Sequence, residues 1–262
     1  MNPLRLALLL FILFVSPVLL FAQAANQQGE FYQITIYHFA SSEQQALVDQ
    51  YLKDAYLPAL HRQQVKQVGV FTAMSNDTAA DKRLYVVIPL KSTTSMAELA
   101  GALEKDDQYL ANAKPYQDAG YKSPPYTRME KILLKSFPLA PSLIVPKLTS
   151  ANTEKVYELR SYESATEKLF ENKVKMFNEG GEIDLFRELN FNAVFYASVI
   201  AGARMPNLMY MTSFENMESR NAHWKSFVDS PVWKKISGDP YYSGNMTGLQ
   251  SIFLRPTAYS DY

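Results

Sequence analysis

Glu158 and Arg160 are the residues of this chain best suited to chemistry. They stand two apart in the run Val156-Tyr157-Glu158-Leu159-Arg160-Ser161-Tyr162, so on a strand both side chains leave from one face. A sheltered arginine can hold a carboxylate or phosphate in a two-pronged grip. A poorly solvated glutamate has a raised pKa and can serve as a base. The commoner role for such a pair is a structural ion-pair network spanning two sheets. Tyr162 shares their face, and Tyr37, Tyr196 and Tyr210 are further candidates to line a ligand space. Tyrosine gives apolar contact with one polar handle, which suits a small organic ligand; ordinary packing between sheets is its competing role. Tyr196 and Tyr210 depend on register, because a one-residue slip turns a side chain to the opposite face.

Other chemistry is thin. The three histidines, His38, His61 and His223, are too scattered for a zinc site to be read from their spacing. There is no HExxH, no GxSxG, no phosphate-binding glycine loop and no carboxylate cluster of metal type. With zero cysteines the chain has neither a thiol nucleophile nor a thiolate metal site. No metal and no cofactor is therefore expected. The 26 basic residues balance the 26 acidic ones, without a basic block, which argues against nucleic acid as the main partner.

The elements that must position these residues come in two copies. The run containing Tyr162 echoes Phe31-Tyr32-Gln33-Ile34-Thr35-Ile36-Tyr37, with Tyr37 and Tyr162 125 positions apart. Leu84-Tyr85-Val86-Val87-Ile88 and Leu208-Met209-Tyr210-Met211-Thr212 repeat at nearly the same offset. Such self-similarity implies two related units. The first spans residues 30–138, with strands at 31–39, 67–74, 83–90 and 129–137 and helices opening at Ser41 and at Met96. The second spans residues 153–259, with strands at 155–162, 191–200, 207–214 and 249–254. Its helices cover 167–189, broken at Gly180-Gly181, then 219–228 and 231–236. Residues 139–152 form a linker that its prolines make extended and fairly stiff. Each unit reads βαββαβ, the ferredoxin-like order.

A sheet of this type carries helices on one face only. Alternation sorts each first strand into two sets: Tyr32, Ile34 and Ile36 against Gln33, Thr35 and Tyr37; Tyr157, Leu159 and Ser161 against Glu158, Arg160 and Tyr162. The more apolar sets are assigned to the helix side. The polar, tyrosine-bearing sets then face the other sheet, and the fold class is α+β, two tandem ferredoxin-like units packed sheet to sheet as a barrel with a partly polar interior.

Residues 1–24 read as a secretory signal peptide: Arg5, an apolar run to Phe21, then Ala22-Gln23-Ala24. The run is shorter than a bilayer-spanning helix needs and Pro17 interrupts it, so the expectation is an exported protein, periplasmic or secreted, with no membrane segment after cleavage.

The second unit resembles the NIPSNAP family. The resemblance rests on Tyr157-Glu158-Leu159-Arg160-Ser161-Tyr162, Gly180-Gly181-Glu182 with Leu185-Phe186-Arg187 and Phe191, the Trp224 helix, Asp229-Ser230-Pro231-Val232-Trp233, and Leu254-Arg255-Pro256. The first unit is a degraded copy, with Gln33 and Thr35 in place of the Glu and Arg. The resemblance implies a dimeric α/β barrel, a fold whose other members include small monooxygenases, haem-degrading enzymes and isomerases, and with the expected signal peptide it suggests an exported, bacterial-type member. The fold alone does not fix a function. One expectation is a barrel that binds or transforms a small organic molecule. The alternative is a non-catalytic interaction or scaffold module, and a remote third is a haem-binding oxygenase-like protein, for which His223 would be the axial ligand. Pairing of the units within one chain and assembly into a homo-oligomer are both open at this level.

Overall fold

The computed structural model describes residues 29–262; the expected signal peptide lies outside them. The first half supplies β1 (Phe31–Phe39), β2 (Gly69–Ala73), β3 (Lys82–Leu90) and β4 (Arg128–Ser136). Its helices are α1 (Ser42–Tyr51), α2 (Leu57–Arg62), α3 (Ser95–Leu103) and α4 (Asp107–Gln117). The second half supplies β5 (Val156–Glu163), β6 (Phe195–Ala201), β7 (Asn207–Phe214) and β8 (Gly248–Pro256). Its helices are α5 (Glu167–Asn178), α6 (Glu182–Glu188), α7 (Met217–Asp229) and α8 (Pro231–Ser237). Helix α4, with Pro115 inside it, is one the sequence pattern did not suggest.

The eight strands close one barrel in the order β1-β3-β2-β8-β5-β7-β6-β4. Each half keeps the ferredoxin-like order, and the halves join where β2 pairs with β8 and β4 with β6, both antiparallel. Closure within one chain leaves these sheets no free edge.

Both faces of the sheets are buried, and the faces are the reverse of those assigned from alternation. Tyr32, Ile34 and Ile36 join Tyr157 and Leu159 in a single cluster inside the barrel, to which both halves contribute. Tyr32 meets Phe195 with ring centroids 5.2 Å apart, and Phe71 meets Tyr157 at 4.9 Å. Tyr37 lies instead among the helices of the first half, and Tyr162, Tyr196 and Tyr210 among those of the second. The reason is that the barrel interior is the one space shared by two sheets, and it is filled by apolar side chains from both. The polar sets then turn outward, where helices bring them partners.

One barrel end is plugged. Leu143, Val145 and Leu148 of the linker pack into the interior cluster, as does Tyr262, whose ring stands edge-on to Phe71 at 5.3 Å. The linker is tied down at Glu215, whose carboxylate accepts from the backbone amides of Thr149 and Ser150. Those amides, with the Ser150 hydroxyl, push its pKa down to about 2.

This closure generates a prediction. The second half expressed alone, residues 153–262, exposes β6, β8 and the Tyr157–Leu159 face, and should form a dimer in native mass spectrometry. A monomer with native-like circular dichroism would contradict the account of closure.

Candidate functional site

Glu158 is fully buried and accepts five hydrogen bonds. Arg220 of α7 grips it with Nε and Nη2, both at 2.8 Å. Trp224 Nε1, one turn further along α7, donates at 2.7 Å. Ser251 Oγ donates from the neighbouring strand at 2.6 Å, and Arg160 Nη1 from the same strand at 2.7 Å. Burial by itself raises the pKa of this carboxyl; the bonds from Arg220 and Ser251 and the charge of Arg160 outweigh it and hold it below the usual carboxylate range. Arg160 lies over the Trp224 ring at 4.3 Å and passes a hydrogen bond from Nε to Tyr162 Oη, which pairs with Tyr210 Oη at 2.7 Å. Burial pushes the Tyr162 hydroxyl up to about 12, so it stays neutral.

The network continues to a second buried pair. Gly181, at φ +91°, turns the chain between α5 and α6 and brings Glu182 beneath Lys173, with Nζ to Oε2 at 3.1 Å. Lys173 lies 4.9 Å from the Phe177 ring centre. Burial raises the Glu182 carboxyl, and Lys173 opposes it. Together these groups fill the space between sheet and helices in the second half, and both carboxylates are answered from within the chain.

The same space in the first half is open. Gln33 and Thr35 hold the places of Glu158 and Arg160 and bond only to each other, Gln33 Nε2 to Thr35 Oγ1 at 3.0 Å. Lys131 lies opposite Thr35, as Ser251 lies opposite Arg160. Helix α3 brings Met96, Leu99 and Leu103 where α7 brings Arg220 and Trp224. A cavity of about 220 Å³ results, walled by Gln33, Thr35, Tyr37, Tyr51, Tyr56 and Tyr116 and reached by Lys131.

A π-helical turn over Leu52–Tyr56 shapes the tyrosine wall. Its closing bond runs from the Leu57 amide to the Leu52 carbonyl, five residues back. In an α-helix, residues five apart point about 140° apart; the wider π turn brings them close to one face. Tyr51 and Tyr56 accordingly stack at 5.6 Å, and Tyr116 stacks on Tyr51 at 3.9 Å. Such turns inside α-helices are frequent at functional sites. Tyr51 Oη and Tyr109 Oη share a hydrogen bond at 3.0 Å. Burial pushes the Tyr56 hydroxyl up to about 12, so this wall stays uncharged.

Of the residues singled out from sequence, Tyr37 alone lines this cavity. Glu158, Arg160, Tyr162, Tyr196 and Tyr210 sit together on the helix side of the second half rather than lining the barrel, a correction that follows from the reversed faces. The histidines stay apart. His38 meets Asp81 at one barrel end, His61 ties α2 to Asp261, and His223 Nδ1 lies 2.6 Å from the Ser219 carbonyl oxygen. Among the described residues no three His, Asp or Glu side chains are placed to hold a metal ion, and no helix is long and apolar enough to cross a membrane. Arg220, Trp224, Ser251, Tyr51 and Tyr56 were not read from the sequence as site residues. Arg220 and Trp224, four apart on one helix, carried the available signal.

Replacing Glu158 by Gln leaves two largely buried guanidinium groups without their counter-charge and should destabilise the protein by about 3 kcal/mol in urea titrations. The linkage has a definite sign. A carboxyl whose folded-state pKa is depressed stabilises fully above the unfolded value, about 4.3, and loses this as pH falls through the lower folded value. The variant should therefore show a shallower acid loss of stability below that value. An unchanged midpoint and acid slope would sink this reading of the network.

Residues 157–261 match the model of the NIPSNAP family. No curated protein matches the chain. Among solved structures, a candidate monooxygenase from Lactobacillus acidophilus is similar over 87% of this chain and 94% of its own, with 11% identity and a TM-score of 0.55. Another from Fusobacterium nucleatum covers 87% and 92%, with 8% identity and the same TM-score of 0.55. At these identities the likeness establishes the fold. A NIPSNAP-like domain protein from Burkholderia xenovorans is 17% identical over 41% of this chain and 89% of its own, with a TM-score of 0.37. The match to the NIPSNAP family model thus lies in the second half of a single-chain α/β barrel whose first half has the same topology.

Proposed function

We propose that the protein binds a small aromatic carboxylic acid in the first-half cavity between sheet and helices. The observation that carries this reading is the contrast between the halves. In the second half a carboxylate, Glu158, and an aromatic ring, Trp224, occupy the space between strand and helix. In the first half both are gone, since Gln33 and Leu99 hold those places, and an open cavity remains. A ligand bearing a ring and a carboxylate restores what the chain itself supplies in the other half. Gln33 and Thr35 offer neutral hydrogen-bonding groups, Lys131 a cation, and the stacked tyrosines a flat apolar wall. The cavity is smaller than the pockets of drug-sized ligands, which favours a single-ring compound.

The expected signal peptide supports a site that samples such acids outside the cytoplasm. A scaffold protein with a filled interior is the weaker reading, because a cavity walled by five tyrosines and a π turn has no evident role in a mere filler.

Benzoate and 4-hydroxybenzoate, titrated calorimetrically into the protein, should bind saturably, and benzamide more weakly. Leu99→Trp, which installs the second half's ring in the first, should abolish binding with the fold intact. Lys131→Gln should weaken benzoate about tenfold, equivalent to about 1.4 kcal/mol, and leave benzamide unchanged. Benzoate binding that survives Leu99→Trp would remove the site from this cavity.

A further inference from the structure

The barrel end opposite the Tyr262 plug is open. It holds a pocket of about 560 Å³, larger than the first-half cavity and separate in chemistry from it. The floor is the apolar interior: Ile36, Ile132, Leu159, Met209 and Ile252. The rim is polar and comes mainly from the first half. In register across β4, β1 and β3, one layer is Arg128, His38 and Arg83, and the next inward is Glu130, Ile36 and Tyr85. The second half supplies Ser161 and Asn207, whose side chains bond at 3.0 Å.

Most of the charge here is already matched. Arg83 pairs with Asp81, Arg128 with Glu130 and Arg204 with Glu163. Among the described residues that reach this pocket, Lys131 is the one cation without a paired carboxylate, and it also reaches the first-half cavity. Two buried polar atoms are left without a hydrogen-bonding partner, His38 Nε2 and Tyr85 Oη. Unpartnered groups of this kind are rare in a folded interior and require an explanation.

Their chemistry is complementary. Asp81 faces His38 Nδ1 with both oxygens, at 2.8 and 3.1 Å. That contact places the ring hydrogen on Nδ1 and leaves Nε2 presenting a lone pair when the ring is neutral. Glu130 Oε1 lies 3.2 Å from Nε2 but is not aligned to bond with it, and a carboxylate offers no hydrogen to a lone pair. Glu130 is itself partly exposed and held by Arg128, which is mostly exposed, so it is the group free to give way. Burial raises the pKa of Tyr85, which keeps its hydroxyl a neutral donor. One atom accepts a hydrogen and the other donates one. A single group answers both: a hydroxyl.

We propose that the open barrel end is a second small-molecule site, which takes an uncharged phenol or alcohol. Its hydroxyl donates to His38 Nε2, held in orientation by Asp81, and accepts from Tyr85 Oη. Its apolar body rests on the Ile36, Ile132 and Leu159 floor. The carboxylate-binding cavity lies on the other side of the same sheet, and Lys131 of β4 reaches both.

The test uses 4-nitrophenol, whose absorbance reports its hydrogen bonding and ionisation, with the described chain, its Tyr85→Phe, His38→Gln and Leu99→Trp variants, and circular dichroism as a fold control. Tyr85→Phe removes one oxygen from a buried ring and is the variant least prone to unfold. The expected pattern is a saturable band shift in the unsubstituted protein that persists in Leu99→Trp, weakens about tenfold in Tyr85→Phe and disappears in His38→Gln. No saturable shift, a shift lost in Leu99→Trp, or one undiminished in Tyr85→Phe overturns the proposal. Benzoate binding, read separately, decides the first-half cavity whatever the outcome here.

Discussion

Closing two four-stranded sheets into one barrel imposes a single constraint on everything else: the inner faces must fill each other. Tyr32, Ile34 and Ile36 from one half and Tyr157 and Leu159 from the other meet there, and the space admits polar groups only at its ends. Every polar side chain on these central strands must therefore turn outward to the helices or sit at an open rim. In the second half the outward set is satisfied by α7, through the fork of Arg220 and the indole of Trp224 on Glu158. In the first half the outward set was neutralised instead, and the helices do not refill the space. The first-half cavity and the open barrel end are the two exits this constraint leaves.

The Glu158 network also shows why a charged group can be buried here without a functional demand on it. Five donors surround one carboxylate, and both arginines rest on aromatic rings. The arrangement fixes where α7 sits on the sheet, and it consumes the pair that looked most reactive in isolation. Reactivity would require a donor to be missing; none is.

Much of the architecture was legible because the chain repeats itself. The echo between the segments ending at Tyr37 and Tyr162 gave two units of like topology, and the strand-rich runs around Tyr85 and Tyr210 fell in matching places. The direction of each face was not legible. Alternation in Phe31–Phe39 separates Ile34 from Thr35, but all positions from Tyr32 to Phe39 are buried, so neither set is marked by solvent. Deciding between them needed the knowledge that Glu158 has partners at 220, 224 and 251, contacts spanning sixty to ninety positions. The π turn at Leu52–Tyr56 was hidden for a related reason. Tyr51 and Tyr56 have the wrong spacing for one face of an α-helix, and only the local widening puts them together. His38 and Asp81 are separated by two helices and a strand, and nothing in their spacing announces a pair.

Barrel closure inside a single polypeptide also bears on how such a molecule can change. In an assembly of two identical chains, a substitution in one cleft is copied into the other, so the scaffold and the binding surface are altered together. Here each position at 158 and 33 is inherited separately. One half can stay conservative, keeping the helix seated and the interior sealed, while its twin drifts, loses a charge, empties a cleft and samples new occupants. The covalent link turns a symmetric object into a division of labour, with one side holding shape and the other at liberty to explore.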